Sequence, residues 1–233
     1  MTGLNALLIA GTDTEVGKTV LTSALAAYWQ THRQLNTLGI LKPLQAGPGD
    51  RELYHRLFLP EDSLDTINPQ YFEAPLAAPL AAAQENAVVD LEAMWQSLLA
   101  QCQQHNWVLV EGAGGLGSPV TAEMTVADLA AAWHLPVVLV VPVKLGAITQ
   151  AVANVALARQ TRLELRGIVL NCPQPRTPTE IIQWAPIGLI ESLTQVPVLG
   201  CLPHVQNPED TAALAAIAAD LTLELMLPPP VAA

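Results

Sequence analysis

The nine residues Gly11-Thr12-Asp13-Thr14-Glu15-Val16-Gly17-Lys18-Thr19 bring together the groups that bind a polyphosphate. A loop of this composition turns backbone N–H groups inward, aims the next helix's N-terminus at the anion and adds Lys18 as a point charge. Thr19 offers a hydroxyl to Mg²⁺, the role of the last residue in a phosphate-binding loop, or P-loop. Strict spacing places a glycine at position 12, where this chain has Thr12, and the glycine stands one residue earlier at Gly11. The competing interpretation is a plain strand-to-helix turn. An apolar run before the loop and a helical segment after it favour nucleotide binding.

Other polar clusters also follow apolar runs. Lys42 comes after Leu38–Leu41, either as a surface lysine before Pro43 or as a second cation near a γ-phosphate. Asp50 sits in a Gly-Pro-Gly-Asp turn, as a helix cap or as a ligand. Glu111 ends the run from Trp107 to Val110, as a loop acid or as the Mg²⁺-binding carboxylate found at the end of a Walker B strand. Glycines 112, 114 and 115 clear side chains from a backbone that a ligand must approach. Lys144 to Thr149 joins an apolar run to a helical segment, an ordinary turn or a helix N-terminus worth about 0.3–1 kcal/mol to a carboxylate. Asn171 can donate to and accept from an adenine edge, whereas His204 reads as a loop histidine. The sequence has no Ser-His-Asp set, no His/Cys metal spacing and no dinucleotide-type glycine loop.

Positioning these groups requires strands that end beside one another. The apolar runs 4–10, 38–41, 107–110, 137–141, 167–170 and 198–202 predict strands, and helical periodicity predicts helices over 20–33, 90–105, 125–134, 147–161, 179–193 and 210–226. The runs do not alternate with polar residues, as expected for strands covered on both faces. Strand, loop and helix recurring in this way predict an α/β fold with a mostly parallel sheet and helices on both faces, and ligands beyond the strands' carboxyl ends. No linker or repeat divides the chain, so residues 1–233 read as a single P-loop domain. The proline-rich stretch from Asp50 to Ala87 reads as a substrate-side insertion.

Composition narrows the function. The chain has 233 residues, with 10 Lys and Arg against 21 Asp and Glu, a net charge of −11. A nucleic-acid clamp is disfavoured, because nothing offsets repulsion from phosphates. Hydrophobic residues make up 51%, which excludes disorder, yet the central apolar run from Leu129 to Val143 is too short and too proline-broken for a membrane span. The N-terminal residues lack the basic start of a secretory signal, and the three cysteines have no framework spacing. A soluble, acidic, cytoplasmic protein is expected.

Taken together, GTDTEVGKT, the following Lys-Pro, WVLVEGAGG and VVPVKLGAI resemble the dethiobiotin synthetase family, and YFEAPLAAPLAAAQEN is similar to that family's substrate-side segment. The resemblance implies a P-loop ligase that joins 7,8-diaminononanoate and CO₂ at the cost of ATP. A carbamate forms, is phosphorylated, and closes to the ureido ring of dethiobiotin with release of ADP and phosphate. It implies that Glu15, Val16, Gly17, Lys18, Thr19 and Val20 wrap the phosphates. Thr19, Asp50 and Glu111 would hold Mg²⁺, and Lys42 would grip carbamate and γ-phosphate. Gly112, Ala113 and Gly114 would border the nucleotide, while Asn171, Pro203, His204, Val205 and Glu209 would line its nucleoside end. A homodimer is also implied, with the substrate carboxylate meeting Gly146, Ala147, Ile148 and Thr149 of the partner subunit and its reacting end near Ala46.

The chain departs from the family pattern at three places. Ala46 stands where many members have a hydroxyl, with Gln45 as a substitute, Cys172 follows Asn171 in place of an acid, and Thr149 replaces an amide. Two further functions compete. A P-loop switch ATPase of the partition or septum-positioning kind carries a signature lysine where this chain has Asp13, and a basic surface that is absent here. A non-catalytic nucleotide-binding relative is the other.

Overall fold

A computed structural model describes residues 4–33 and 37–229. In chain order the elements are β1 (Ala6–Gly11), α1 (Lys18–His32), β2 (Leu38–Leu41), β3 (Leu44–Ala46), α2 (Asp50–Leu57), α3 (Leu64–Ile67), β4 (Gln70–Phe72), α4 (Ala78–Gln84) and α5 (Leu91–Gln104). They continue with β5 (Trp107–Gly115), α6 (Val126–Ala132), β6 (Val137–Pro142), α7 (Ala147–Gln160), β7 (Leu165–Asn171), α8 (Pro178–Trp184), α9 (Ile187–Thr194), β8 (Val198–Leu202) and α10 (Thr211–Ala218). Six strands form one parallel sheet in the order β2-β5-β1-β6-β7-β8. The P-loop strand β1 therefore lies inside the sheet, with Ile9 in register with Glu111 of β5.

The unbroken apolar runs have a simple cause. In β1, Leu7 and Ile9 enter one core while Ala6, Leu8 and Ala10 enter the other. Val108 and Val110 of β5 likewise oppose Leu109. Alternation persists, but both faces are dry, so every position is apolar. Helices α1 and α10 cover one face, and α10 lies along α1. Helices α4 to α7 and α9 pack on the other.

Four expectations need correction. Strand β5 does not stop at Val110 but runs through Glu111 and the glycines to Gly115, because Gly11 of β1 pairs with Gly115 and draws that backbone into the sheet. The helix expected over 179–193 is two helices, α8 and α9, broken where Pro186 cannot continue the hydrogen-bond ladder. The final helix ends at Ala218, and the chain turns into a short 3₁₀ segment at Leu223–Leu225. Inside the irregular 50–87 stretch, β4 pairs in parallel with β3 to make a separate two-stranded sheet, and three-residue strands carry no readable periodicity.

Leu214 of α10 is fully buried against the α1 layer and is not itself among the predicted ligands. Leu214→Ala is expected to cost about 2–5 kcal/mol in urea unfolding while leaving turnover at 25 °C near wild type.

Candidate active site

The loop after β1 is built around two glycines. A Cβ on Gly11 would meet Val16 Cγ2 at 2.6 Å and the Asp13 carbonyl at 2.9 Å, which accounts for a glycine at 11 where strict P-loop spacing asks for one at 12. Gly17 has φ +101° and caps α1, and a Cβ there would collide with the Asn171 amide. Asn171 Nδ2 in turn donates to the Val16 carbonyl at 2.9 Å. The end of β7 thus holds the loop in shape. Helix α1 starts at Lys18, two residues earlier than the periodicity suggests, so Lys18 and Thr19 occupy its first turn. Lys18 Nζ donates to the Asp13 carbonyl at 3.0 Å, and burial holds its pKa below the ordinary lysine value against the pull of Glu111.

Beside this loop three charges meet. The Lys42 ammonium, only 4% exposed, pairs with Asp50 and donates to Glu111 Oε1 at 2.6 Å. Glu111 is completely buried. Thr19 Oγ1 lies 3.0 Å from Asp50 Oδ1 and 3.1 Å from Glu111 Oε1. Burial alone would lower the Lys42 pKa, but Glu111 and Asp50 outweigh it and hold it above the ordinary value. Burial likewise works against the Asp50 carboxylate, yet Lys42 overcomes it and holds Asp50 below the ordinary value of 3.8. Asp50 is not a helix cap. Gly49 occupies the cap position and donates its N–H to Glu52 at 2.9 Å, which frees the Asp50 side chain to face Lys42.

Two side chains in this cluster carried no motif. Tyr54, fully buried, donates its phenol to Glu111 Oε2, and Thr22 Oγ1 reaches the same oxygen at 3.1 Å. Burial and then the Glu111 charge push the Tyr54 pKa well above 10. Helical spacing is the signal that could have found them: Tyr54 is four residues from Asp50 and Thr22 four from Lys18.

The cleft over these charges encloses about 820 Å³. Glu15, Gly17, Lys18, Thr19, Val20, Lys42, Ala46, Asp50, Glu111, Ala113 and Gly114 all border it. Val16 points into the core and Gly112 borders a small apolar void on the other side. Pro75, Leu76 and Ala77, within the segment expected on the substrate side, supply a wall, and Ser118 and Pro119 supply another that no motif announced. Gln45, the substitute expected for the missing hydroxyl at Ala46, also borders the cleft, where its amide donates to the Gly47 carbonyl at 2.9 Å and accepts from Arg51 N at 3.0 Å.

The remaining candidates do not border this cleft. Pro203, His204 and Val205 follow β8 at the same carboxyl edge of the sheet, and Glu209 pairs with Arg56 of α2. Gly146 caps α7 with φ +91°, leaving Thr149 exposed, Ile148 half-buried and Ala147 buried. Thr12 Oγ1 approaches Gln150 Oε1 at 3.3 Å, which ties the phosphate loop to this helix start.

The donor set suits a hard cation. Among the described residues no group of three His, Cys, Asp or Glu side chains gathers, but Mg²⁺ needs only one or two carboxylates when phosphates and water complete its shell. Thr19 has one proton and faces two carboxylates, so one of those contacts lacks a proton and is an oxygen pair that a cation would relieve. Phosphate loop, buried Lys18 and a carboxylate on the neighbouring parallel strand define a P-loop nucleoside triphosphatase fold. Solved structures agree on that fold: the MinC:MinD cell division complex of Aquifex aeolicus (TM-score 0.61, 16% identity, 98% of this chain and 99% of that one) and a ParA family ATPase of Chlorobium tepidum (TM-score 0.56, 14% identity, 97% of each chain).

A family described as an AAA domain matches residues 5–211. Relatives narrow this further. The chain is 55% identical to the ATP-dependent dethiobiotin synthetase BioD of Gloeothece citriformis over 96% of its own length and 99% of that relative. It is 56% identical to that of Crocosphaera subtropica over 96% and 100%, and 30% identical to that of Bacillus subtilis over 96% and 98%. The chain belongs to the ATP-dependent dethiobiotin synthetase family.

Removing Lys42 leaves Glu111 buried without its cation, so Lys42→Met is expected to cost about 3–5 kcal/mol at pH 7. Because Asp50 titrates lower in the folded protein, the pair stabilises above the ordinary carboxylate pKa and loses that contribution as pH falls through the folded value. The gap between wild type and variant in urea unfolding should therefore begin to narrow only as pH falls below 3.8 and close once pH has passed the lower folded value. A gap that stays constant would contradict the pairing.

Proposed function

We propose that this chain makes dethiobiotin from 7,8-diaminononanoate, CO₂ and ATP, releasing ADP and phosphate. The observation that carries the reading is the convergence of Lys18, Lys42, Asp50 and Glu111 on one cleft in a member of this family. One amine of the substrate adds to CO₂, giving a carbamate and a proton. A carbamate oxygen then attacks the γ-phosphorus of ATP, the bond to the bridging oxygen breaks, and ADP leaves. The neighbouring amine attacks the carbonyl carbon of the resulting anhydride, phosphate leaves, and a second proton is lost. Phosphorylation is needed because an oxide-bearing carbamate carbon has no leaving group, and ring closure gains from proximity, with effective molarities of about 10⁵ M or more.

The residues have separate duties. Backbone N–H groups from Glu15 to Val20 would cradle the phosphates, with Lys18 neutralising them. Lys42 would leave its carboxylate partners as they take up the metal and would hold the carbamate oxygen against the γ-phosphate. Thr19, Asp50 and Glu111 would hold Mg²⁺, which when bound neutralises charge on the phosphate oxygens. Ala46 would border the reacting end of the diamine, and Ala113 and Gly114 would keep the floor of the site free of large side chains, with Gly112 next to them in the strand. At the nucleoside end stand Pro203, His204, Val205 and Glu209, with Asn171 offering the oxygen left over from its bond to Val16.

The active unit would be a homodimer of single P-loop domains spanning 1–233. Its support is apolar exposure beside the α7 start, where Leu145 and Val152 face solvent. In the dimer, Gly146, Ala147, Ile148 and Thr149 would receive the carboxylate of a substrate held by the partner subunit. Among the described residues no helix is long and apolar enough to cross a membrane. The net charge of −11 disfavours nucleic-acid phosphates, and the proposed enzyme is cytoplasmic, with no nucleic-acid or membrane partner.

Purified protein given the diamine, bicarbonate, Mg²⁺ and ATP is expected to release ADP and dethiobiotin in equal amounts, and neither when any one component is omitted. ATP turnover indifferent to the diamine would overturn the reading and point to a switch ATPase.

A further inference from the structure

Helix α2 reaches the charge cluster twice. Its first residue, Asp50, faces Lys42 and Thr19, and Tyr54, one turn later on the same side, donates to Glu111 Oε2. The Tyr54 ring is wholly buried in the core that contains Phe58 and Ile67. A phenylalanine would fill that space equally well, so packing does not explain the hydroxyl.

The donors around Glu111 are unequal. Thr22 has one proton and lies 3.0 Å from the Lys18 carbonyl and 3.1 Å from Glu111 Oε2, so it is divided between them. Thr19 is divided between Asp50 and Glu111 on the Oε1 side. Lys42 is shared by both carboxylates. The Tyr54 phenol has a single proton and donates it to Glu111 Oε2, with the Thr22 hydroxyl as its other polar neighbour.

We infer that Tyr54 is a positioning residue for Glu111, its phenol pinning Oε2 toward the protein so that Oε1 faces Thr19, Lys42 and the incoming metal. The inference rests on the proposal that Glu111 binds Mg²⁺. A carboxylate buried to this extent turns toward whatever donors it has, and a fixed donor behind a metal ligand sets both its orientation and its affinity. Because Asp50 and Tyr54 ride on one helix, α2 presents one metal carboxylate and orients the other as a single body.

The test is Tyr54→Phe in the intact chain, using free Mn²⁺ measured by electron paramagnetic resonance in the presence of ADP. Mn²⁺ affinity is expected to fall about ten- to a hundredfold. The Mg²⁺ concentration for half-maximal turnover should rise in parallel, while kcat at saturating Mg²⁺ and metal-free ADP binding stay near wild type. Glu111→Gln is the control for the underlying reading. If it weakens Mn²⁺ binding and Tyr54→Phe does not, the inference about Tyr54 is overturned alone. If neither variant weakens it, Glu111 is no metal ligand and both fall.

Should Tyr54→Phe fail to fold, the wild-type chain labelled with 3-fluorotyrosine serves instead. It has three tyrosines, and Tyr28→Phe and Tyr71→Phe assign the ¹⁹F signals. The Tyr54 signal is expected to move when Mg²⁺ is added to the ADP-bound protein, and an unmoved signal would refute the inference.

Discussion

The structure depends on one constraint: a carboxylate with no solvent exposure, Glu111, must be neutralised inside the protein. Removing an ionised carboxylate from water costs several kcal/mol even after relaxation, and the cost is offset only where cations and donors surround it. Lys42 supplies the cation, and Thr19, Thr22 and Tyr54 supply hydroxyls. Asp50 then adds a second negative charge over the same ammonium. Lys42, Asp50 and Glu111 together carry a net charge of −1, which suits the site to a further cation arriving with a polyphosphate.

Sheet order makes this arrangement possible. β5 lies between β2 and β1, so the ends of β2, β5 and β1 deliver Lys42, Glu111 and the phosphate loop side by side. Residues far apart in sequence meet because parallel strands present their carboxyl ends on one edge. Asn171 extends the same principle across β6 and β7, gripping Val16 and thereby coupling the far side of the sheet to the loop. The loop's geometry is therefore a property of the whole sheet as well as of its own nine residues.

Much of this was legible in the sequence. The phosphate loop, Lys42, Asp50 and Glu111 each follow a recognisable apolar run or turn, and topology alone tells where such positions converge. Tyr54, four residues from Asp50, is passed over because a tyrosine at helical spacing in a short helix reads as core, and packing is half of what it does. Asn171 was read for its chemistry toward a base, whereas its nearest partner is a backbone carbonyl that no motif announces. The apolar run ended at Val110, and the ladder with β1 carried the strand on through the glycines after Glu111. The break at Pro186 was visible as a residue but masked by an apolar pattern that continues through it.

The most direct measurement is the anomalous scattering of Mn²⁺ in crystals grown with ADP. A peak is expected between Thr19, Asp50 and Glu111, with the Lys42 ammonium displaced toward the cleft. A peak away from those oxygens, or Lys42 still bridging both carboxylates with the metal bound, would contradict it.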